Sequence, residues 1–216
     1  MKHLSISLLF ALLSSHTFAK DTADIHLGLF SQGQLNNWNT KEFSGTTNYQ
    51  LTQLNDKQVL KAESQSSASG LFKEQKIDLQ KTPVLNWQWR IESHLGKINE
   101  QSKEGDDYSA RIYVLVDGGW AFWKTKAINY VWSSNTSKGT VWPNAFAGNS
   151  AMMIAVRSSK DDTHTWYHEK RNIKKDLQEH FGTDFQYIDA VAIMTDTDNT
   201  KGSATAYYGD IYFSEK

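Results

Sequence analysis

Cysteine is absent from this 216-residue chain. That excludes disulfides, a thiol nucleophile, thiolate metal ligands and an acylated N-terminal cysteine as a lipid anchor. Proline occurs only twice, and no repeat, low-complexity stretch or proline-rich linker divides the chain. One domain over residues 20–216 is the economical count. Neither sign of charge is in excess: 23 lysines and arginines stand against 24 acidic residues, for a formal net charge of -1. Without a basic excess or a basic run, nucleic acid is excluded as a partner and an anionic membrane surface is disfavoured. No G-x-S-x-G elbow is present to select a serine nucleophile.

What is present starts at the N-terminus. Met1-Lys2-His3 is basic, residues 4–13 are apolar, and Thr17-Phe18-Ala19 ends on a small residue. This is the pattern of a cleaved secretory signal over residues 1–19, and the apolar run is too short to span a bilayer. The expectation is a soluble periplasmic or secreted monomer with no transmembrane segment in the mature chain.

Period-two alternation dominates the middle of the chain. Residues 47–54 and 58–63 read as antiparallel strands across the polar turn Asn55-Asp56-Lys57. Further β-rich runs occupy 68–77, 84–93, 108–116, 121–132, 151–157, 165–172, 185–194 and 204–213. Many short strands separated by turn signals predict an all-β fold, a two-sheet antiparallel β-sandwich of jelly-roll type. One short connecting helix is expected over 172–181. Asn172 can cap it, Ile173, Leu177 and Phe181 form its apolar stripe, and Gly182 ends it.

Polar chemistry concentrates in few places. Thr195-Asp196-Thr197-Asp198-Asn199-Thr200 is a run of six oxygen-bearing side chains between two β-like runs. Such a run near a core needs a cation, an arginine or backbone amides to satisfy it. Asp196, Asp198 and Thr200 repeat at i, i+2 and i+4, like the start of a helix-loop-helix calcium loop. Lys201 and Tyr207 then stand where that loop requires glycine and a bidentate glutamate. That loop is excluded, and a composite calcium site using Asp196, Asp198, Asn199 and Asp210 is left as a candidate beside the plainer reading of an Asx-rich turn.

The chain has only four arginines, Arg90, Arg111, Arg157 and Arg171, each inside a predicted strand. A guanidinium fork on a sheet surface implies carboxylates nearby. Arg111 is expected to meet Asp106, Asp107, Asp196 and Asp198. As acid/base groups the candidates are Asp107 and Asp196, with Arg111 as an electrostatic aid.

Eight tryptophans, nine tyrosines and ten phenylalanines are many for this length. Trp87, Trp89 and Trp132 alternate within strands and read as core. Trp120 follows Gly118-Gly119, and Trp142 precedes Pro143, so both are placed in turns. With Tyr208 they are candidates to stack on a ligand, and Arg90, Arg111, Asp106 and Asp107 are candidate polar contacts.

The landmarks Trp87-Gln88-Trp89-Arg90, Gly105-Asp106-Asp107-Tyr108-Ser109-Ala110-Arg111, Tyr130-Val131-Trp132, Arg171 with Asp176, residues 195–200 and Tyr207-Tyr208-Gly209-Asp210-Ile211 occur in a specific order. In that order they resemble a bacterial family of domains of unknown function, DUF3047, which implies no activity. The closing Tyr208-Gly209-Asp210-Ile211-Tyr212-Phe213 is also similar to the last strand of galactose-binding-type jelly rolls, a resemblance that implies a structural calcium near the acidic residue. Three functional expectations stand together: non-catalytic binding of a glycan or another envelope component, a carbohydrate-active hydrolase or lyase, and a structural or partner-binding envelope protein.

Overall fold

The computed structural model describes residues 23–117 and 125–216. Residues 1–19, Trp120 and the start of the expected strand 121–132 lie outside the described residues.

Fourteen strands and one α-helix are present among the described residues. The strands are β1 (Ile25–Gly28), β2 (Asn39–Ser44), β3 (Asn48–Leu54), β4 (Lys57–Gln65), β5 (Ala68–Asp78), β6 (Val84–Ile91) and β7 (Tyr108–Val116). They continue with β8 (Lys126–Trp132), β9 (Val141–Asn144), β10 (Gly148–Arg157), β11 (Tyr167–Asn172), β12 (Tyr187–Asp196), β13 (Ser203–Tyr208) and β14 (Ile211–Ser214). The first sheet runs β1-β14-β6-β13-β4-β3, with β11 on the other edge of β6. The second runs β2-β5-β12-β7-β8-β10-β9. Pairing is antiparallel except between β8 and β10. The expected all-β sandwich is therefore present, with one parallel pair the alternation pattern did not specify.

Local chemistry sets the register. Asn55 and Asp56 hold φ of 49° and 61°, the two left-handed positions of a tight hairpin turn, which Asn and Asp tolerate better than most residues. That turn joins β3 to β4 with Leu54 opposite Lys57. The closing run expected as a single strand is broken at Gly209 and Asp210, so β13 and β14 follow one another along the same edge of β6.

Alternation then builds the core. Leu60 and Ala62 on β4 and Leu85, Trp87, Trp89 and Ile91 on β6 face Leu71, Ile112, Val114, Tyr130, Trp132 and Ile193 of the second sheet. Trp87, Trp89 and Trp132 are buried as expected, and the rings of Trp87 and Trp89 meet edge to face at 5.4 Å, a favoured aromatic geometry.

Helix α1 (Ile173–Phe181) ties the sheets together. The Asn172 side chain accepts the Lys175 N–H at its start, and Gly182 ends it at φ 68°. Ile173 and Leu177 enter the core. Asp176 accepts the Tyr130 hydroxyl at 2.6 Å and the Arg171 fork at 2.9 and 2.7 Å. One helical carboxylate thus joins β8 of the second sheet to β11 of the first.

Candidate functional site

Strand β12 ends where its antiparallel neighbour β7 begins, with Asp196 opposite Tyr108. This register brings residues 195–200 against Asp106 and Asp107, which immediately precede β7. Gly105 lets the preceding segment pass, because a Cβ there would collide with the backbone of Asn99. Ile112 and Val114 face the core, so Arg111 and Tyr113 project from the other face of the sheet.

Arg111 is buried on that face. Its guanidinium donates to Asp196 Oδ2 at 2.5 Å and to Met194 Sδ at 3.2 Å. It also lies 5.1 Å from the ring centres of both Tyr108 and Tyr113, within cation-π range. The neighbouring carboxylates have distinct jobs. Asp107 accepts four hydrogen bonds: Asn199 N and Nδ2, both at 3.2 Å, and Thr200 N and Oγ1, both at 2.6 Å. The four acceptor directions of a carboxylate are then used, and the group caps the turn after β12. Asp106 accepts Asn144 Nδ2 at 3.0 Å and the Tyr108 hydroxyl at 3.2 Å. Asp198 is half-buried and takes only a 3.4 Å contact from Asn199 Nδ2.

One carboxylate, Asp196, therefore pairs with the guanidinium, and three more lie close by. Asp107, Asp196 and Asp198 each bring an oxygen within 4.8 Å of the others'. Burial pushes the Asp196 carboxyl well above the usual carboxylate range; Arg111 pulls it down, and Asp107, Asp106 and Asp198 push it further up. Tyr108, Tyr113, Tyr49 and Tyr208 also interact electrostatically with Asp196. Asp106 is raised chiefly by burial, against the pull of Arg111. Burial lowers the Arg111 pKa, but Asp196 and the other surrounding groups raise it further, so Arg111 stays charged.

A pocket of about 460 Å³ opens over this cluster, with Arg111, Tyr113, Asn129, Met194, Asp196 and Asp198 among its walls. Phe43 and Phe146 flank it at 56% and 59% exposure, with the ammonium groups of Lys41 and Lys103 over their rings. Several buried polar atoms of the wall have no hydrogen-bond partner: Asp196 Oδ1, Arg111 Nε, and both Oδ1 and Nδ2 of Asn129. Asn129 is 1% exposed. A wider depression of about 880 Å³ lies along the same sheet face, lined by Lys41, Glu74, Lys76 and Asp189 among others. None of the buried unpartnered atoms belongs to its lining.

The structure thus brings Asp106, Asp107, Arg111, Asp196, Asp198 and Asn199 together, and of the other predicted residues that are described, Trp142, Tyr208, Arg90 and Asp210 do not line the pocket. Trp142 is buried in β9, packed with Tyr108, Val131, Met153 and Ala155, and cannot stack on a ligand. The following Pro143 marks an edge strand rather than a turn, since an edge position tolerates a missing N–H. Tyr208 is fully buried, its hydroxyl donating to Met194 O at 2.9 Å and accepting Arg111 N–H at 3.3 Å. It stitches the two sheets together. Arg90 belongs to the first sheet and pairs with Glu92 at 2.9 Å. Asp210 accepts Ser31 N and Oγ at 2.8 and 2.6 Å and lines a different depression from that of Asp106, Asp196 and Asp198.

The calcium expectation loses Asp210 by this placement, and the amide nitrogen of Asn199 is turned to Asp107. With Asp107 saturated, Asp196 and Asp198 are the carboxylates with open oxygens. A cation there would take its remaining oxygens from carbonyls and water. Phe43, Phe146, Tyr113, Asn129 and Met194 were not singled out from the sequence. The signal for Asn129 was there: it is the one polar residue in the apolar run Ile128-Asn129-Tyr130-Val131-Trp132.

Solved structures similar to this one share little sequence with it. The glycoside hydrolase domain of Endo-D from Streptococcus pneumoniae R6 aligns at 10% identity and a TM-score of 0.40, over 83% of this chain and 22% of that one. A carbohydrate-binding module of the β-sandwich superfamily aligns at 14% identity and 0.45, over 86% and 60%. The carbohydrate recognition domain of Emp47p aligns at 11% identity and 0.49, over 93% and 99%. This chain thus spans about a fifth of the first of these and 60% of the second. No curated protein sequence matches it. A family match does extend from residue 36 to residue 212, and the chain belongs to that family, the proteins of unknown function DUF3047.

Proposed function

We propose that this protein binds a glycan in the pocket over Arg111 and Asp196, acting in the periplasm or outside the cell. The location rests on the basic, apolar and small-residue pattern of residues 1–19. Asn129 carries the binding reading: a carboxamide 1% exposed, on a pocket wall, with neither its donor nor its acceptor satisfied. A buried polar group left unpaired costs about 1–3 kcal/mol. A sugar hydroxyl, both donor and acceptor, can satisfy either end of the amide. The exposed rings of Phe43 and Phe146 suit the apolar C–H faces of a pyranose, and the pocket volume lies in the range of small-molecule sites.

The test combines calorimetry on a panel of envelope oligosaccharides with the variant Asn129→Leu. Removing an unsatisfied amide in favour of an apolar side chain is neutral or stabilising for the fold. The expected result is therefore an unchanged or higher melting temperature together with lost binding. A panel with no bound glycan, or full binding by the variant, overturns the proposal.

A catalytic reading has one observation in its favour, the Asp196 carboxyl held above the usual range by burial, as a general acid requires. Asp107 is not available for that work, its acceptor directions being taken. Release of reducing ends from a bound oligosaccharide, lost in Asp196→Asn, supports this reading; an unchanged oligosaccharide after long incubation removes it.

A further inference from the structure

We infer that the pocket selects a glycan bearing a free, protonated amine over its N-acetylated or acidic counterparts. This rests on the glycan-binding reading and names the ligand class for the same site. Charge and open acceptors in the cluster both favour an ammonium group. The carboxyl groups of Asp106, Asp107, Asp196 and Asp198 are grouped with one described cation, Arg111, so a second cation can be matched here, and an ammonium beside Asp196 releases to solvent the proton that burial holds on it. Lys41 and Lys103 belong to the rim, held over phenylalanine rings.

Most of the carboxylate oxygens are already in use. Asp107 is saturated by the turn at Asn199 and Thr200, and Asp106 is occupied by Asn144 and Tyr108. What stays open is Asp196 Oδ1, on a side chain 1% exposed and without a partner, together with Asp198. Oxygens of these two residues lie within 4.8 Å of one another. One nitrogen about 2.8 Å from each of two oxygens can bridge up to about 5.6 Å between them. An ammonium brings the required donors and the opposite charge in a single group.

An acetamide brings one N–H and no charge. A uronate adds a carboxylate to a cluster that already has too many. The pocket therefore discriminates by charge at its floor, while the neutral hydroxyl contacts of Asn129 are common to all three sugars.

Calorimetry at about pH 6, where such amines are protonated, compares β-1,4-linked glucosamine oligomers, their N-acetylated forms and galacturonate oligomers. The expected result is at least tenfold tighter binding of the amine form, since hydrogen bonds to charged groups exceed neutral ones by about that factor. Asp198→Asn should abolish this preference while leaving the melting temperature in place. Equal binding of amine and acetamide, or a preference that survives Asp198→Asn, overturns the inference even if neutral glycans bind. Spermidine binding as tightly as the amine oligomer overturns the sugar assignment, and a calcium-dependent rise in melting temperature without amine preference identifies a cation site instead. If no glycan binds at all, the underlying reading falls first.

Discussion

Replacing Asp107 by asparagine separates a structural carboxylate from a reactive one. Asp107 is fully buried and accepts two bonds at 2.6 Å from Thr200 N and Oγ1, with two more at 3.2 Å from Asn199. An amide keeps the shape but loses the charge, and its nitrogen must then face donors of the turn. Hydrogen bonds to a charged group contribute about 1.5–3 kcal/mol each. The Asn199 and Thr200 donors are only half-buried, so water recovers part of the loss. Counting the two short bonds in full and discounting the long ones gives a cost of about 3 kcal/mol. For a chain of this size that is a fall of roughly 6–12 °C in melting temperature.

Urea denaturation, with the slope unchanged from the wild type, measures the free energy directly. Hydrogen exchange at the Thr200 amide reports whether the turn itself has opened. A loss below about 1 kcal/mol, or a protected Thr200 amide in the variant, refutes the assignment of Asp107 as the cap of this turn. Full stability with an abolished ligand response would falsify it from the other side, by showing that the carboxylate serves the ligand.

Three further perturbations have worked outcomes. Asp176→Asn leaves Arg171, itself about a third exposed, without its bidentate partner and Tyr130 without its carboxylate; thermal unfolding should show a cost of about 2–3 kcal/mol after water recovers part of the loss at Arg171, and a loss under about 1 contradicts the helix anchor. Trp142→Ala removes a buried ring packed on Tyr108 and Met153, at about 3–5 kcal/mol, with ligand affinity kept well below the melting point; lost affinity in a stable variant restores Trp142 as a ligand contact. The Asp196 carboxyl is raised in the folded state, so above the unfolded value of about 4 the folded chain holds the extra proton and wild-type stability falls as pH rises. Asn at 196 does not titrate, so the stability difference between wild type and Asp196→Asn should shift toward the variant as pH climbs from about 4; a shift toward the wild type, measured by urea denaturation across pH, reverses the sign and disproves it.

The fold was legible wherever one face of a strand was covered. Residues 108–116 alternate because Ile112 and Val114 meet the core while Arg111 and Tyr113 point away. The hairpin at Asn55-Asp56 and the helix capped by Asn172 and Gly182 were legible from turn and cap chemistry alone. Strand β2 was not, because it is a sheet edge with every residue exposed, and Asn39-Thr40-Lys41-Glu42-Phe43-Ser44 has no apolar period. Strand β9 was hidden by Pro143, which reads as a turn unless the strand is known to be an edge. The meeting of Asp106, Asp107 and Arg111 with Asp196 and Asp198 was accessible because antiparallel neighbours join start to end. The aromatic flanks were not, since Phe43 lies on that patternless edge and Phe146 in the turn after Asn144, while the more conspicuous Trp142 and Tyr208 went into the interior.

The four arginines sharpen where function resides. Arg157 is held by Asp161 and Glu169, Arg171 by Asp176, and Arg90 by Glu92. In these three places the acidic groups nearly match the guanidinium, which is what sheet surfaces and a helix anchor require. Around Arg111 four carboxyl groups share one described cation, burial holds the Asp196 carboxyl above the usual range, and its Oδ1 stands unused beside an unused amide. Removing carboxylates from water without matching positive charge costs several kcal/mol per ion after relaxation. An apolar sheet face with Leu or Val in place of Asp196 and Asn129 would be easier to fold. Sequences depart from the locally most stable choice chiefly at sites that do something, and here the departures converge on one pocket wall. Among the described residues Arg111 is the one cation paired within this cluster, so a further counterpart is to be sought in what the pocket binds.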